Sequence, residues 1–205
     1  MRRIPRKIVA ATTVGVLALA RLRNARRRGA VKSIATFTTA DGKPRVVTLG
    51  RGRFVRIWDA DSGRRLRRLP MSGASVHLAT FVSSTGSPRL AVLTADQEIH
   101  VWDPVAGNQI DELRVAEADM GSRLVAWNTT SGHPRIAVTC GDAGIRIIDP
   151  EAGTQDGLVL MGHEVAVVDL ATWFTPGGQP RLASSGDGVT LLWDPETGRN
   201  LGQLT

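Results

Sequence analysis

Residues 166–204 read AVVDLATWFTPGGQPRLASSGDGVTLLWDPETGRNLGQL, and the reading of this stretch decides the fold. Ala166 to Trp173 is an apolar, β-rich run. Pro176-Gly177-Gly178-Gln179-Pro180 is turn chemistry. Arg181 to Ser185 reads as a second short strand, Gly186-Asp187-Gly188 turns the chain, and Val189 to Trp193 forms a third. Asp194-Pro195-Glu196-Thr197-Gly198 is another turn, and Arg199 to Leu204 supplies a fourth strand. Strands this close in sequence pair as antiparallel hairpins. Four of them make a small twisted sheet that cannot cover both of its faces, so it must stack on another.

The pattern recurs upstream. Pro-Arg pairs begin at Pro44, Pro88, Pro134 and Pro180, at intervals of 44, 46 and 46 residues. Two residues before each stands a glycine (Gly42, Gly86, Gly132, Gly178), and seven before stands an aromatic (Phe37, Phe81, Trp127, Trp173). Ten residues before is an aliphatic: Ile34, Leu78, Leu124, Leu170. Downstream, Trp58-Asp59, Trp102-Asp103, Ile148-Asp149 and Trp193-Asp194 are equivalent, each Asp being followed four residues later by Gly63, Gly107, Gly153 or Gly198. A period in this range marks a repeat architecture. Four units are expected, at about 31–70, 71–115, 116–161 and 162–205, behind a basic and apolar arm over residues 1–30. The fold class is all-β: four repeated four-stranded antiparallel blades in a propeller-like array, with the aromatic column, buried in all four units, as its cement.

This pattern resembles the WD-repeat family of β-propellers. The resemblance rests on the Trp-Asp pairs and the weaker Ile148-Asp149, on Gly162-His163, on Ala183-Ser184 and on Asp187-Gly188. It is similar in particular to the Gly-x-Pro-Arg type of WD repeat common in high-GC actinobacteria, often found at the C-terminal end of large signalling ATPases. No Walker sequence occurs here. The resemblance implies a structural tetrad of His163, Ser184, Asp187 and Trp193 in the last unit, linking neighbouring strands by buried polar contacts. Elsewhere the tetrad decays: Asp96 and Asp142 match its aspartate, Gly52 replaces it in the first unit, and Gly-His is missing from the first three. Propellers typically have about 4–8 blades, and WD propellers usually close with more than four. Four blades therefore imply an incomplete ring, a ring completed by a second copy as a homodimer, or a ring closing at four. Pro5 to Ala20 as a decayed fifth unit lies too close to Pro44 to fit the period.

Charge is concentrated at one end. Of 26 basic residues among 205, nine lie in residues 1–28, where no acid occurs, leaving 17 against 19 acidic residues in the remainder. The net charge of +7 therefore belongs to the arm, and a nucleic-acid-binding body is not supported. Ile8 to Ala20 is uncharged for thirteen residues, short of the roughly 20 a spanning helix needs. Three readings of the arm stand: a tail or repeat remnant, a peripheral membrane segment basic at both ends, and a signal core with Ala18-Leu19-Ala20 as cleavage site. The five arginines that follow favour retention on the cytoplasmic side. The expected location is cytoplasmic, with membrane-surface contact through the arm.

Catalytic chemistry is hard to find. Asp59, Asp103, Asp149 and Asp194 each close a strand and open a turn, where Asp binds its own backbone. His77, His100, His133 and His163 occupy different repeat positions, without metal-ligand spacing. Cys140, alone, excludes an intrachain disulfide and a cysteine zinc site. Ser184-Ser185-Gly186 lacks the leading glycine of a nucleophile elbow, and Val55 stands where a dinucleotide loop needs its third glycine. The Asp-Pro-Glu-Thr-Gly turn is similar to that of quinoprotein propellers, but here the tryptophan precedes the aspartate. The expectation is thus no catalytic residue, no metal and no cofactor, in a non-catalytic protein–protein interaction scaffold. The rival is a small-ligand-binding or enzymatic propeller using a central funnel. The family's partner-binding loops map here onto Arg51, Arg53, Glu117, Asp119 and Glu164, for a protein or peptide partner. Arg64-Arg65-Leu66-Arg67-Arg68 reads as a charged outer strand that discourages edge pairing, or as a dock for an acidic partner.

Overall fold

The computed structural model describes residues 30–50, 53–115, 122–141, 143–152, 157–186 and 188–204. The arm, Arg51, Glu117, Asp119 and Asp187 lie outside the described residues. Sixteen strands form among them. The first sheet holds β1 (Val31–Thr38), β2 (Pro44–Gly50), β3 (Phe54–Asp59) and β4 (Arg65–Pro70). The second holds β5 (Ser75–Val82), β6 (Pro88–Thr94), β7 (Glu98–Asp103) and β8 (Asn108–Arg114). β9 (Leu124–Asn128), β10 (Pro134–Thr139), β11 (Ile145–Ile148) and β12 (Val159–Leu160) form the third. β13 (Asp169–Phe174), β14 (Pro180–Gly186), β15 (Val189–Asp194) and β16 (Arg199–Leu204) form the fourth. Each sheet is antiparallel, its strands adjacent in chain order. No helix among the described residues is long and apolar enough to cross a membrane.

The first hairpin of every sheet is built alike. A hydroxyl residue follows the first strand: Thr39, Ser83, Thr129 or Thr175. Its side-chain oxygen accepts the backbone N–H four residues on, at 3.1, 3.0, 3.1 and 3.2 Å respectively. Between them Gly42, Gly86, Gly132 and Gly178 take φ of +79°, +81°, +87° and +81°. A Cβ there would meet nothing within 4 Å, so glycine is required by the left-handed backbone and not by space. Proline then starts the second strand. That strand is buried along most of its length in β2, β6 and β10, as a near-continuous apolar run predicts for a strand covered on both sides. The fourth strands β4, β8 and β16 are exposed almost throughout.

The sheets form an open arc. β1 packs against β5, β5 against β9 and β9 against β13, so neighbouring sheets approach along their first strands. Three apolar clusters fill the gaps. One joins Val47, Leu49 and Ile57 to Leu78, Leu90 and Trp102; the next joins Phe81, Leu93 and Ile99 to Leu124, Ile136 and Val138; the last joins Trp127, Ala137 and Ile147 to Leu170, Leu182 and Trp193. No cluster among the described residues joins the fourth sheet to the first.

This arrangement explains both apolar columns. They are three residues apart on one strand, hence on opposite faces. The aliphatics Leu78, Leu124 and Leu170 point to the preceding sheet, and the aromatics Phe37, Phe81 and Trp127 to the following one. Ile34 has no preceding sheet and is 54% exposed; Trp173 has no following sheet and is 41% exposed. The expectation that all four aromatics are buried therefore holds for Phe81 and Trp127, Phe37 being half-buried, and is corrected at Trp173, which has no following sheet to cover it. A second difference is that β13 begins at Asp169, not Ala166. Ala166 belongs to the loop before it, which crowds Gly186: a Cβ there would stand 3.1 Å from the Ala166 carbonyl oxygen and 3.1 Å from His163 Nδ1.

The packing yields a contrast between equivalent residues. Phe81→Ala should cost about 3–5 kcal/mol, as for a filled core position. Trp173→Ala should cost less than about 1 kcal/mol in the isolated chain, since it has no facing sheet. Chemical denaturation of both variants checks this, and equal losses would contradict the open arc.

Candidate functional site

Three described members of the expected tetrad meet in the fourth sheet. Ser184 Oγ on β14 accepts the Trp193 indole N–H at 2.8 Å and lies 2.8 Å from His163 Nε2. All three are buried. The set ties the loop before β13 to β14 and β15. Asp187 lies outside the described residues. In the first sheet Thr48 replaces the serine and Trp58 donates to its hydroxyl at 2.8 Å. In the second, Val92 occupies that place and the buried Trp102 indole N–H has no hydrogen-bond partner among the described residues. In the third, donor and acceptor are both replaced, by Ile148 and Val138. Deleting both partners is nearly neutral, whereas orphaning one costs about 1–3 kcal/mol.

The repeated aspartate does two jobs. Its Oδ1 accepts backbone N–H groups of the turn after the third strand. Asp59 accepts from Ser62 at 2.8 Å, Asp103 from Val105 and Ala106 at 2.8 Å each, Asp149 from Glu151 at 2.9 Å and Asp194 from Glu196 at 3.1 Å. Its Oδ2 faces the arginine of the Pro-Arg pair. Arg45–Asp59, Arg89–Asp103, Arg135–Asp149 and Arg181–Asp194 stand at 2.6, 3.4, 2.6 and 3.7 Å. Each arginine also donates to the carbonyl of its own proline. The pairs bridge second and third strands, and being partly solvated each adds little to stability on its own. The four carboxylates are thereby occupied in structure, one per sheet.

Sequence reasoning missed this arginine role and a contact between blades. Glu151 and Glu196, each two residues after the repeated Asp, accept the backbone N–H of Ser84 and Thr130 in the preceding hairpin at 3.0 and 2.9 Å. The signal was present as Asp-Pro-Glu in the third and fourth units. The second unit has Val105 there, whose carbonyl instead accepts from Arg67 at 2.7 Å. Arg67 and Arg68 of the outer-strand run therefore have intramolecular roles, Arg68 stacking over the Phe54 ring, while Arg64 and Arg65 are exposed.

Grooves of about 590 and 400 Å³ lie between sheets one and two and between sheets three and four. Their linings are equivalent: Thr39, Arg45 and Ile57 in one, Thr129, Arg135 and Ile147 in the other. They follow from blade spacing and do not mark a unique pocket. Of the expected partner-binding residues, Arg53 is exposed just before β3 and Glu164 is exposed before β13. They belong to the first and fourth sheets. Arg51, Glu117 and Asp119 lie outside the described residues.

One chemically distinct cluster appears that the histidine spacing did not signal. Glu98 and His100 alternate on β7 and share a face, and His100 pairs directly with Glu112 on β8. One ligand atom from each lies within 4.8 Å of the others. Separately, burial pushes His77 below the usual imidazole range, with Arg123 adding to the effect and Asp169 opposing it.

No family model matches the sequence. None of the curated proteins matches it. Among solved structures, a chain in a crystal structure of a mitotic checkpoint complex superposes over 82% of this chain with TM-score 0.62 and 20% identity. This chain spans 49%, about half, of that chain's length. The likeness shows the fold: all-β, four antiparallel four-stranded sheets in a propeller-like array.

Two expectations test this geometry. Val92→Thr should be neutral or stabilising by up to about 1 kcal/mol, because it gives Trp102 an acceptor, whereas Val138→Thr, facing Ile148, should cost about 1–3 kcal/mol. Thermal melts of the pair check the contrast, and equal effects would refute the orphaned indole. Asp59 is held below the usual carboxylate value by the Ser62 hydroxyl, then by the Ser62 amide, with the Arg45 charge adding. Its stabilisation is complete above the unfolded value of 3.8 and is lost as pH falls through the lower folded value. Asp59→Asn should flatten the decline in stability as pH falls below the unfolded value, and an unchanged acid profile in denaturation would contradict this.

Proposed function

We propose that the chain is a non-catalytic interaction scaffold of WD-repeat type that binds protein or peptide. The observation that carries this reading is the pair of uncovered blade faces at the ends of the arc. Ile34 and Trp173 stand exactly where the other sheets have covered residues, and Val31, Val168 and Phe174 are also exposed in or beside the end sheets. Apolar surface of this kind is ordinarily covered by another polypeptide. The His163–Ser184–Trp193 set and the three Trp-Asp pairs support the family reading. The matched solved chain is itself part of a protein complex, which agrees with the proposal without identifying a partner. The repeated aspartates are held in turns and ion pairs, which supports a structural role for them over acid–base work. In this reading the protein acts in the cytoplasm, and its basic arm touches the anionic membrane surface.

Affinity capture with the full chain, run beside Trp173→Glu and Ile34→Glu, tests the proposal. Bound protein should be recovered with the wild type and fall at least tenfold with one or both variants, since a charge at a packed apolar contact must be desolvated. Capture unaffected by either change, together with turnover in a hydrolase or dehydrogenase screen, would favour the enzymatic reading.

A further inference from the structure

The columns that the fold demands occur in every blade, but the face formed by Glu98, His100 and Glu112 occurs once. In the first sheet the equivalent positions are Phe54, Arg56 and Arg68, where arginine stacks on phenylalanine. The second sheet thus replaces an ordinary outer-strand contact with three metal-ligating groups on one two-strand ladder.

Their arrangement is specific. His100 is only 3% exposed. Its Nδ1 lies 3.1 Å from Gln109 Oε1, a pure acceptor, which fixes the ring proton on Nδ1 when the imidazole is neutral. Nε2 then presents a lone pair, and it is buried without a hydrogen-bond partner among the described residues. Glu98 Oε2 lies 3.4 Å from Nε2. Two lone-pair groups held face to face are reconciled by a proton or by a metal ion between them. Ligand bonds of about 2.0–2.1 Å in a tetrahedral zinc site put ligand atoms about 3.3–3.5 Å apart, which matches this separation. Glu112 Oε2 lies 3.6 Å from the ring's other nitrogen and accepts from Gln109 Nε2 at 3.2 Å. Gln109 therefore orients both the histidine and the second carboxylate, as an outer-shell residue does in metal sites. Arg114, 3.6 Å from Glu98 Oε1, is largely exposed and free to swing away.

We propose that Glu98 and His100 Nε2 bind one divalent first-row transition-metal ion, with zinc the expected occupant and the half-exposed Glu112 turning from the Nδ1 edge of the ring to complete the set. One imidazole and two carboxylates suit such ions, and a fourth position is left to water or to a partner's side chain. The ion crosslinks β7 to β8 on the face turned toward the first blade.

Zinc titration of the full chain, by calorimetry and by competition with a chromogenic chelator, tests the site. One equivalent should bind to the wild type. Glu112→Gln, at a half-exposed position, should weaken binding at least tenfold while leaving the metal-free melting temperature unchanged, and Glu98→Gln should do the same. Cobalt should give a visible d–d band that both variants lose. Absence of stoichiometric binding, or binding of equal strength in both variants, would overturn the proposal. Variants that lose binding together with their metal-free fold would be replaced by His100→Asn, and retained binding in a folded His100→Asn would equally overturn it.

Discussion

A four-stranded sheet has two faces, and in this chain both are apolar. Everything else follows from that constraint. One face carries the aliphatic column and the other the aromatic column, three residues apart on the first strand. Stacking sheet on sheet buries an aromatic of one blade against an aliphatic surface of the next, each such side chain contributing about 1.5–3 kcal/mol. Three interfaces are satisfied in this way. The two faces left over belong to the first and fourth sheets.

The polar framework keeps the stack in register. One aspartate per blade holds a turn with one oxygen and an arginine with the other, so second strand, third strand and turn are fixed together. Glu151 and Glu196 then tie each of the last two blades to the hairpin before it. The tryptophan N–H shows how the repeat tolerates decay. The fourth and first blades supply a hydroxyl, the third removes donor and acceptor together, and only the second leaves the indole unpaired.

Much of this was legible in the sequence because it repeats. The Pro-Arg, glycine, aromatic and Trp-Asp columns gave strand number and turn positions, since each rests on local geometry at fixed spacing, whereas the Ser184–Trp193 contact was implied by the resemblance to WD repeats. The arginine half of Pro-Arg was visible but its function was not: its partner lies 14 residues away, across a hairpin, and a lone Arg column looks like solvated surface. The exposure of Trp173 was hidden for the opposite reason. The column predicts what a residue faces only if the next blade exists. Glu98, His100 and Glu112 were invisible to helical ligand spacings because strand pairing, not sequence proximity, brings them together.

The central claim is that the arc is open and that its end faces call for another polypeptide. Sedimentation equilibrium of the full chain at micromolar concentration addresses it most directly. The account predicts self-association, either a dimer at twice the 22.0 kDa chain mass, closing eight blades with twofold symmetry, or larger aggregates. A stable, folded monomer of 22.0 kDa would contradict it and would point to a ring closed by four blades.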